Sequence, residues 1–66
     1  MPNVAEEVQN EVRRIREMIA ETKALLPNAN ANFAFYEIAL SEADRAVREQ
    51  DASALVKVLP VLRDMQ

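Results

Sequence analysis

In the middle of the chain, residues 33–47 read FAFYEIALSEADRAV. This stretch contains all three aromatic residues of the protein. Placed on a helix at about 100° per residue, it divides into an apolar face and a charged face. The apolar face comprises Tyr36, Leu40, Ala43 and Val47, with Ala39 and Ala46 beside them. The pattern predicts an amphipathic helix that the rest of the chain covers.

Two apolar residues of this stretch lie off the apolar face. Ile38 falls within the charged arc, and Phe35 lies near its edge on the same side. An exposed apolar patch of this kind indicates a contact surface. Phe33, by contrast, is predicted to pack the start of this helix against the end of the preceding one.

Upstream, residues 3–26 predict a first helix. Asn3 is a favoured N-cap residue, and Glu6 stands three residues later in the capping-box position. Pro27 is expected to end the helix, because proline disfavours the α conformation at the preceding residue. Uncharged residues recur at helical spacing along one face: Ala5, Val8, Val12, Ile15, Ile19, Thr22 and Leu26, flanked by Val4, Met18 and Leu25.

Two further helices are predicted, at about residues 29–50 and 52–65. Asn28 or Asn30 is the expected N-cap of the second helix, and Asp51 that of the third, with Ser53 as the alternative. Pro60 lies inside the third helix, where it is expected to bend the helix or divide it.

The fold class is therefore predicted to be all-α: one domain, residues 1–66, forming an antiparallel helical hairpin or three-helix bundle. A chain of 66 residues has a marginal core of its own. The core is not expected to be stabilised by disulfide bonds or a zinc site, because the chain has no Cys and no His. We therefore expect it to complete a larger bundle by oligomerisation, most simply as a dimer.

Composition argues against several function classes. Without His or Cys, the chain lacks the commonest acid–base group and the most reactive thiol. The absence of Gly disfavours phosphate-binding loops, and a net charge of −3 disfavours nucleic acid. We expect no enzyme activity, no catalytic or metal-binding residue and no cofactor. No apolar run is long enough to span a membrane, and an acidic N-terminus unlike a signal peptide suggests the cytoplasm.

The third helix has more apolar surface than a single bundle can bury. Val56, Val61 and Met65, together with Phe35 and Ile38, are therefore predicted to form a protein interface. The leading hypothesis is a small non-enzymatic interaction module of the regulator, inhibitor, co-chaperone or adaptor type, which self-associates and binds another protein.

Two alternatives stay open. The densest positive cluster is Arg13, Arg14 and Arg16, and guanidinium groups bind oxyanions at two points. Arg13 and Arg16 at a protomer interface, with Tyr36 stacking on a ring, would bind a nucleotide or another phosphate compound. The simpler interpretation pairs these arginines with neighbouring glutamates. The second alternative is a purely structural oligomerisation domain.

Overall fold

The computed structural model describes residues 3–26 and 33–65. These residues form three helices: α1 (Val4–Leu25), α2 (Ala34–Arg48) and α3 (Ala52–Arg63). Each helix packs against the other two, and the described part of the chain contains no strand. The predicted all-α three-helix arrangement is confirmed.

The core lies along the helix faces that the periodicity predicted. On α1 the apolar face is buried in its middle, whereas Leu25 and Leu26 at its end are exposed. The buried residues are Val8, Val12, Ile15, Ile19, Ala39, Leu40, Ala43, Ala46, Leu55, Val58, Leu59, Leu62 and Met65.

Capping side chains fix the starts of α1 and α3. The Asn3 side chain accepts a hydrogen bond from the Glu6 backbone N–H at 2.8 Å. The Asp51 carboxylate accepts one from the Ala54 backbone N–H at 3.1 Å. Both residues are the predicted N-caps, and each satisfies a backbone donor that the helix itself leaves without a partner.

The second helix begins later than predicted. Its first residue is Ala34, and Phe33 occupies the N-cap position without a capping side-chain bond. The predicted start at residue 29, the N-cap candidates Asn28 and Asn30, and Pro27 lie outside the described residues. The Phe33 ring lies under the Lys23 ammonium of α1, 5.4 Å from nitrogen to ring centroid. Phe33 thus joins the start of α2 to the last turn of α1, as predicted.

The third helix is continuous through Pro60, so it is not divided into two pieces, which was the alternative to a bend. Proline removes the bond that a backbone N–H at this position would donate to the Val56 carbonyl. Both Pro60 and Val56 are exposed, so water can hydrate that carbonyl. The bend at Pro60 stays a prediction.

A tight turn joins α2 to α3. The Gln50 N–H donates to the Val47 carbonyl at 3.2 Å, and the Asp51 N–H donates to the Ala46 carbonyl at 2.9 Å. These two bonds form a Schellman motif, which ends a helix through one left-handed residue. That residue is Gln50, with φ 54°. Asp51 closes this motif and caps α3, so the two helices meet with no intervening linker.

Gln50 predicts a stabilising substitution. A residue with a Cβ is strained at positive φ, whereas glycine is not. We expect Gln50→Gly to raise the free energy of unfolding by about 0.5–1 kcal/mol, the strain relief exceeding the extra unfolded-state entropy of glycine. Urea denaturation followed by circular dichroism measures this change. Gln50→Ala keeps the strain and serves as the control, so equal stabilities of the two variants would contradict the argument.

Candidate interaction groove between the second and third helices

An open groove of about 520 Å³ runs between α2 and α3. Its apolar lining comes from both helices, and its rim carries charged residues. The α2 side contributes Phe35, Ile38, Ala39, Glu42 and Arg45; the turn and α3 contribute Asp51, Ser53, Ala54, Lys57, Val58 and Val61.

Three large apolar side chains of this groove are exposed. Phe35 is 63% exposed, Ile38 70% and Val61 41%. Phe35 and Ile38, the two residues of α2 that lie off its core face, therefore line the same groove as Val61, one of the three interface candidates on α3. Single exposed apolar residues are ordinary, but several that line one groove are typical of a contact surface.

The other two interface candidates do not join this groove. Val56 is exposed but does not line it. Met65 is only 5% exposed and belongs to the core. Its placement on an exposed helical face was wrong because α3 ends at Arg63, beyond which helical spacing no longer gives the direction of a side chain.

The turn end of the groove is a cluster of charges around Arg45. Its guanidinium donates to both carboxylate oxygens of Glu42, and lies 3.4 Å from a Glu49 oxygen and 3.6 Å from an Asp51 oxygen. The hydrogen bond from Arg45 lowers the pKa of Glu42 below its ordinary value of 4.5. The pKa of Arg45 is raised by the same bond. Stabilisation from this pair is present above pH 4.5 and is lost as the pH falls through the lowered pKa.

The α3 side of the groove carries one cation, Lys57, which is exposed. It forms no ion pair with any residue of the described part of the chain. On the other side, the lining has two carboxylates, Glu42 and Asp51, to one guanidinium, Arg45. The third carboxylate near Arg45, Glu49, lies outside the lining. The groove therefore has an acidic side on α2 and the turn, and a basic position on α3.

Among the described residues, Arg16 is engaged with a carboxylate of α2 rather than with the other two anionic-ligand candidates. The Arg16 guanidinium binds the Asp44 carboxylate of α2 at 2.5 Å. Arg16 also lines a shallow groove between α1 and α2, which neither Arg13 nor Tyr36 lines. Tyr36 is half-buried between two aromatic neighbours, 6.1 Å from the Phe33 ring and 6.2 Å from the Phe35 ring.

Arg14 has a structural role that the sequence analysis missed. One nitrogen of its guanidinium, Nη2, donates to the carbonyls of Leu62 and Met65, both at 3.0 Å. Its Nε donates to Glu11 at 2.6 Å. Cations stabilise the carbonyl-rich C-terminal end of a helix, so Arg14 fastens the end of α3 to α1. No local signal reveals this, because helical spacing pairs Arg14 only with glutamates of its own helix.

Comparison with protein-family models, curated proteins and solved structures found no match for this chain. Over residues 3–26 and 33–65, no helix combines the length and apolar character needed to cross a membrane. Within the same residues, carboxylates do not gather in groups of three suited to holding a metal ion.

Proposed function

We propose that this chain is a small non-enzymatic interaction module that self-associates, most simply as a dimer, and binds another protein through exposed apolar helix faces. The observation that carries the proposal is the α2/α3 groove, whose lining includes three exposed large apolar side chains, Phe35, Ile38 and Val61. Such a module acts by binding alone: it masks a surface of its partner or holds subunits together.

The energetics of a small chain support association. Each exposed apolar side chain gains about 1.5–3 kcal/mol when it is fully removed from water. The core of a 66-residue chain is marginal by itself, so burying the groove adds a large share to the total stability. Two hairpins packed face to face also form a four-helix core, which is a common helical arrangement.

The groove predicts which substitutions abolish self-association. Phe35→Glu and Val61→Glu each place a carboxylate in the apolar part of the groove, where burial without a partner is costly. We expect each to weaken dimerisation at least about tenfold, the effect of about 1.4 kcal/mol. Sedimentation equilibrium over a range of micromolar concentrations measures the dissociation constant.

Val56→Glu is the matched control, since Val56 is an exposed valine of the same helix that does not line the groove. It should leave the dissociation constant unchanged. All three variants should keep the helical circular dichroism of the parent, because the replaced side chains are exposed. A monomeric parent at micromolar concentration, with both groove substitutions harmless, would overturn the proposal.

The protein partner is tested separately from self-association. Affinity capture of the chain from its native cell, followed by mass measurement of the intact complex, gives both composition and stoichiometry. A complex containing a second protein, lost with Phe35→Glu or Val61→Glu but kept with Val56→Glu, supports the interaction module. A complex that contains only copies of the chain favours the alternative of a purely structural oligomerisation domain.

The anionic-ligand alternative is less well supported. It needs Arg16 for the ligand, whereas Arg16 binds Asp44, and it needs Arg13 and Tyr36 in the same site. A thermal-shift experiment with inorganic phosphate and a panel of nucleotides tests it. A shift that Arg16→Ala removes would favour this alternative over the interaction module.

A further inference from the structure

We infer that the α2/α3 groove is occupied by the same groove of a second copy, in one orientation: the two-fold axis runs parallel to the groove, and α2 of each copy packs against α3 of the other. The inference deepens the proposed function and depends on its self-association. It follows from how apolar and charged residues are distributed along the groove.

The groove changes character with distance from the turn. At 1.5 Å per residue, Ile38 lies about 15 Å along α2 from Arg48, and Val61 about 13.5 Å along α3 from Ala52. By the same measure Glu42 lies about 9 Å, and Lys57 about 7.5 Å, from the turn ends of their helices. The groove lining is thus apolar far from the turn and charged nearer to it, and on the two helices residues of like character lie at similar distances from the turn.

This change from charged to apolar lining along the groove indicates which direction the two-fold axis takes. In an isologous dimer the two copies use the same patch. An axis across the groove reverses one copy end to end and stacks α2 on α2 and α3 on α3, so Lys57 of one copy does not face Glu42 of the other. Where the two grooves overlap fully, it also places the apolar part of one on the charged part of the other. An axis parallel to the groove keeps every residue at the same distance from the turn and exchanges the two sides. Ile38 and Phe35 then face Val61 of the second copy, so apolar surface meets apolar surface.

The same two-fold operation also pairs opposite charges of the two copies. It places Glu42 of one copy opposite Lys57 of the other, and it does so twice. Lys57 forms no ion pair with the described residues of its own chain. The acidic side around Glu42, Glu49 and Asp51 has more carboxylates than Arg45 alone can balance. Opposite charges across an interface set orientation and exclude wrong arrangements.

Complementary charge reversals test the orientation. Lys57→Glu alone gives homodimers with two Glu–Glu contacts, and Glu42→Lys alone gives homodimers with two Lys–Lys contacts. Mixing the two variants gives a heterodimer in which both contacts are attractive again. Native mass spectrometry of the mixture at low salt should show the heterodimer in about tenfold excess over statistical mixing, with the excess falling as salt is added.

The control is a second pair of variants with the same net charges, Arg13→Glu and Glu17→Lys, at exposed positions of α1 that do not line the groove. Their mixture should be close to statistical. If Glu42→Lys fails to fold because Arg45 loses its partner, Lys57→Glu combined with Glu42→Gln in one chain replaces it. That double variant should dimerise more tightly than Lys57→Glu alone.

The outcomes separate this inference from the proposed function. A parent chain that stays monomeric overturns both. A parent dimer that is weakened by Phe35→Glu, but whose charge variants mix statistically, keeps the proposed function and overturns the orientation. Equal heterodimer excess for the groove pair and the α1 pair also overturns the orientation, because net charge alone would then explain the preference.

Discussion

Replacing Leu62 with alanine is expected to lower the free energy of unfolding by about 3–4 kcal/mol. Leu62 is fully buried and packs in the core that the three helices share. The substitution removes the transfer energy of the lost methyl groups and leaves a cavity, which a rigid helix closes only in part. The free energy of unfolding of native proteins is about 0.05–0.15 kcal/mol per residue, so a chain of this length has only about 3–10 kcal/mol in total. The loss therefore removes between about a third and all of that stability.

The chain offers a matched control for this substitution. Leu25 has the same side chain but is 79% exposed at the end of α1. Leu25→Ala should change the free energy of unfolding by no more than about 0.5 kcal/mol. Urea denaturation at two protein concentrations measures both variants and separates folding from association. Equal effects of the two substitutions would show that α3 does not bury Leu62 as described.

Replacing Arg14 with alanine is expected to lower the free energy of unfolding by about 1–2 kcal/mol. Its guanidinium donates two hydrogen bonds to carbonyls at the end of α3, and bonds from a charged donor are worth about 1.5–3 kcal/mol each. The Arg14 side chain is 43% exposed, so water replaces part of the loss and lowers the expected effect. The destabilisation should be accompanied by faster amide exchange in the last turn of α3, which measures local opening.

Two variants make this prediction specific. Arg13→Ala removes a neighbouring exposed arginine that forms no ion pair with α3 among the described residues, and it should lower the free energy of unfolding by less than about 0.5 kcal/mol. Arg14→Lys keeps the charge but loses the planar fork that reaches two carbonyls, so its stability should be intermediate. If Arg14→Ala and Arg13→Ala were equally mild, the contact with α3 would contribute nothing measurable.

Helical periodicity determined the secondary structure and the core faces of the first two helices. Val8, Val12, Ile15 and Ile19 were predicted as one face and are buried together. The caps followed from residue chemistry, because Asn and Asp accept backbone bonds only where a helix leaves donors without partners. These are local properties, since spacing along a helix fixes the direction of each side chain around the axis.

The groove was predictable only in part. Phe35 and Ile38 were identified as residues off the core face of their helix, which periodicity alone reveals. That Val61 joins them and Val56 does not depends on which side of α3 the second helix covers. The angle around one helix axis contains no information about the neighbour, so sequence spacing did not distinguish the two valines.

Polar contacts between different helices could not be predicted from the sequence for the same reason. Arg16 was grouped with Arg13 as a ligand candidate, and Arg14 was set apart, because only their positions on α1 were visible. The packing of three helices decided that Arg16 meets Asp44 and that Arg14 meets the end of α3. The sequence by itself thus determined three amphipathic helices, the capping residues of the first and the third, and the two apolar residues of α2 that lie off its core face. Only the tertiary structure decided which side chains share a surface, because that depends on contacts between helices rather than on spacing within one.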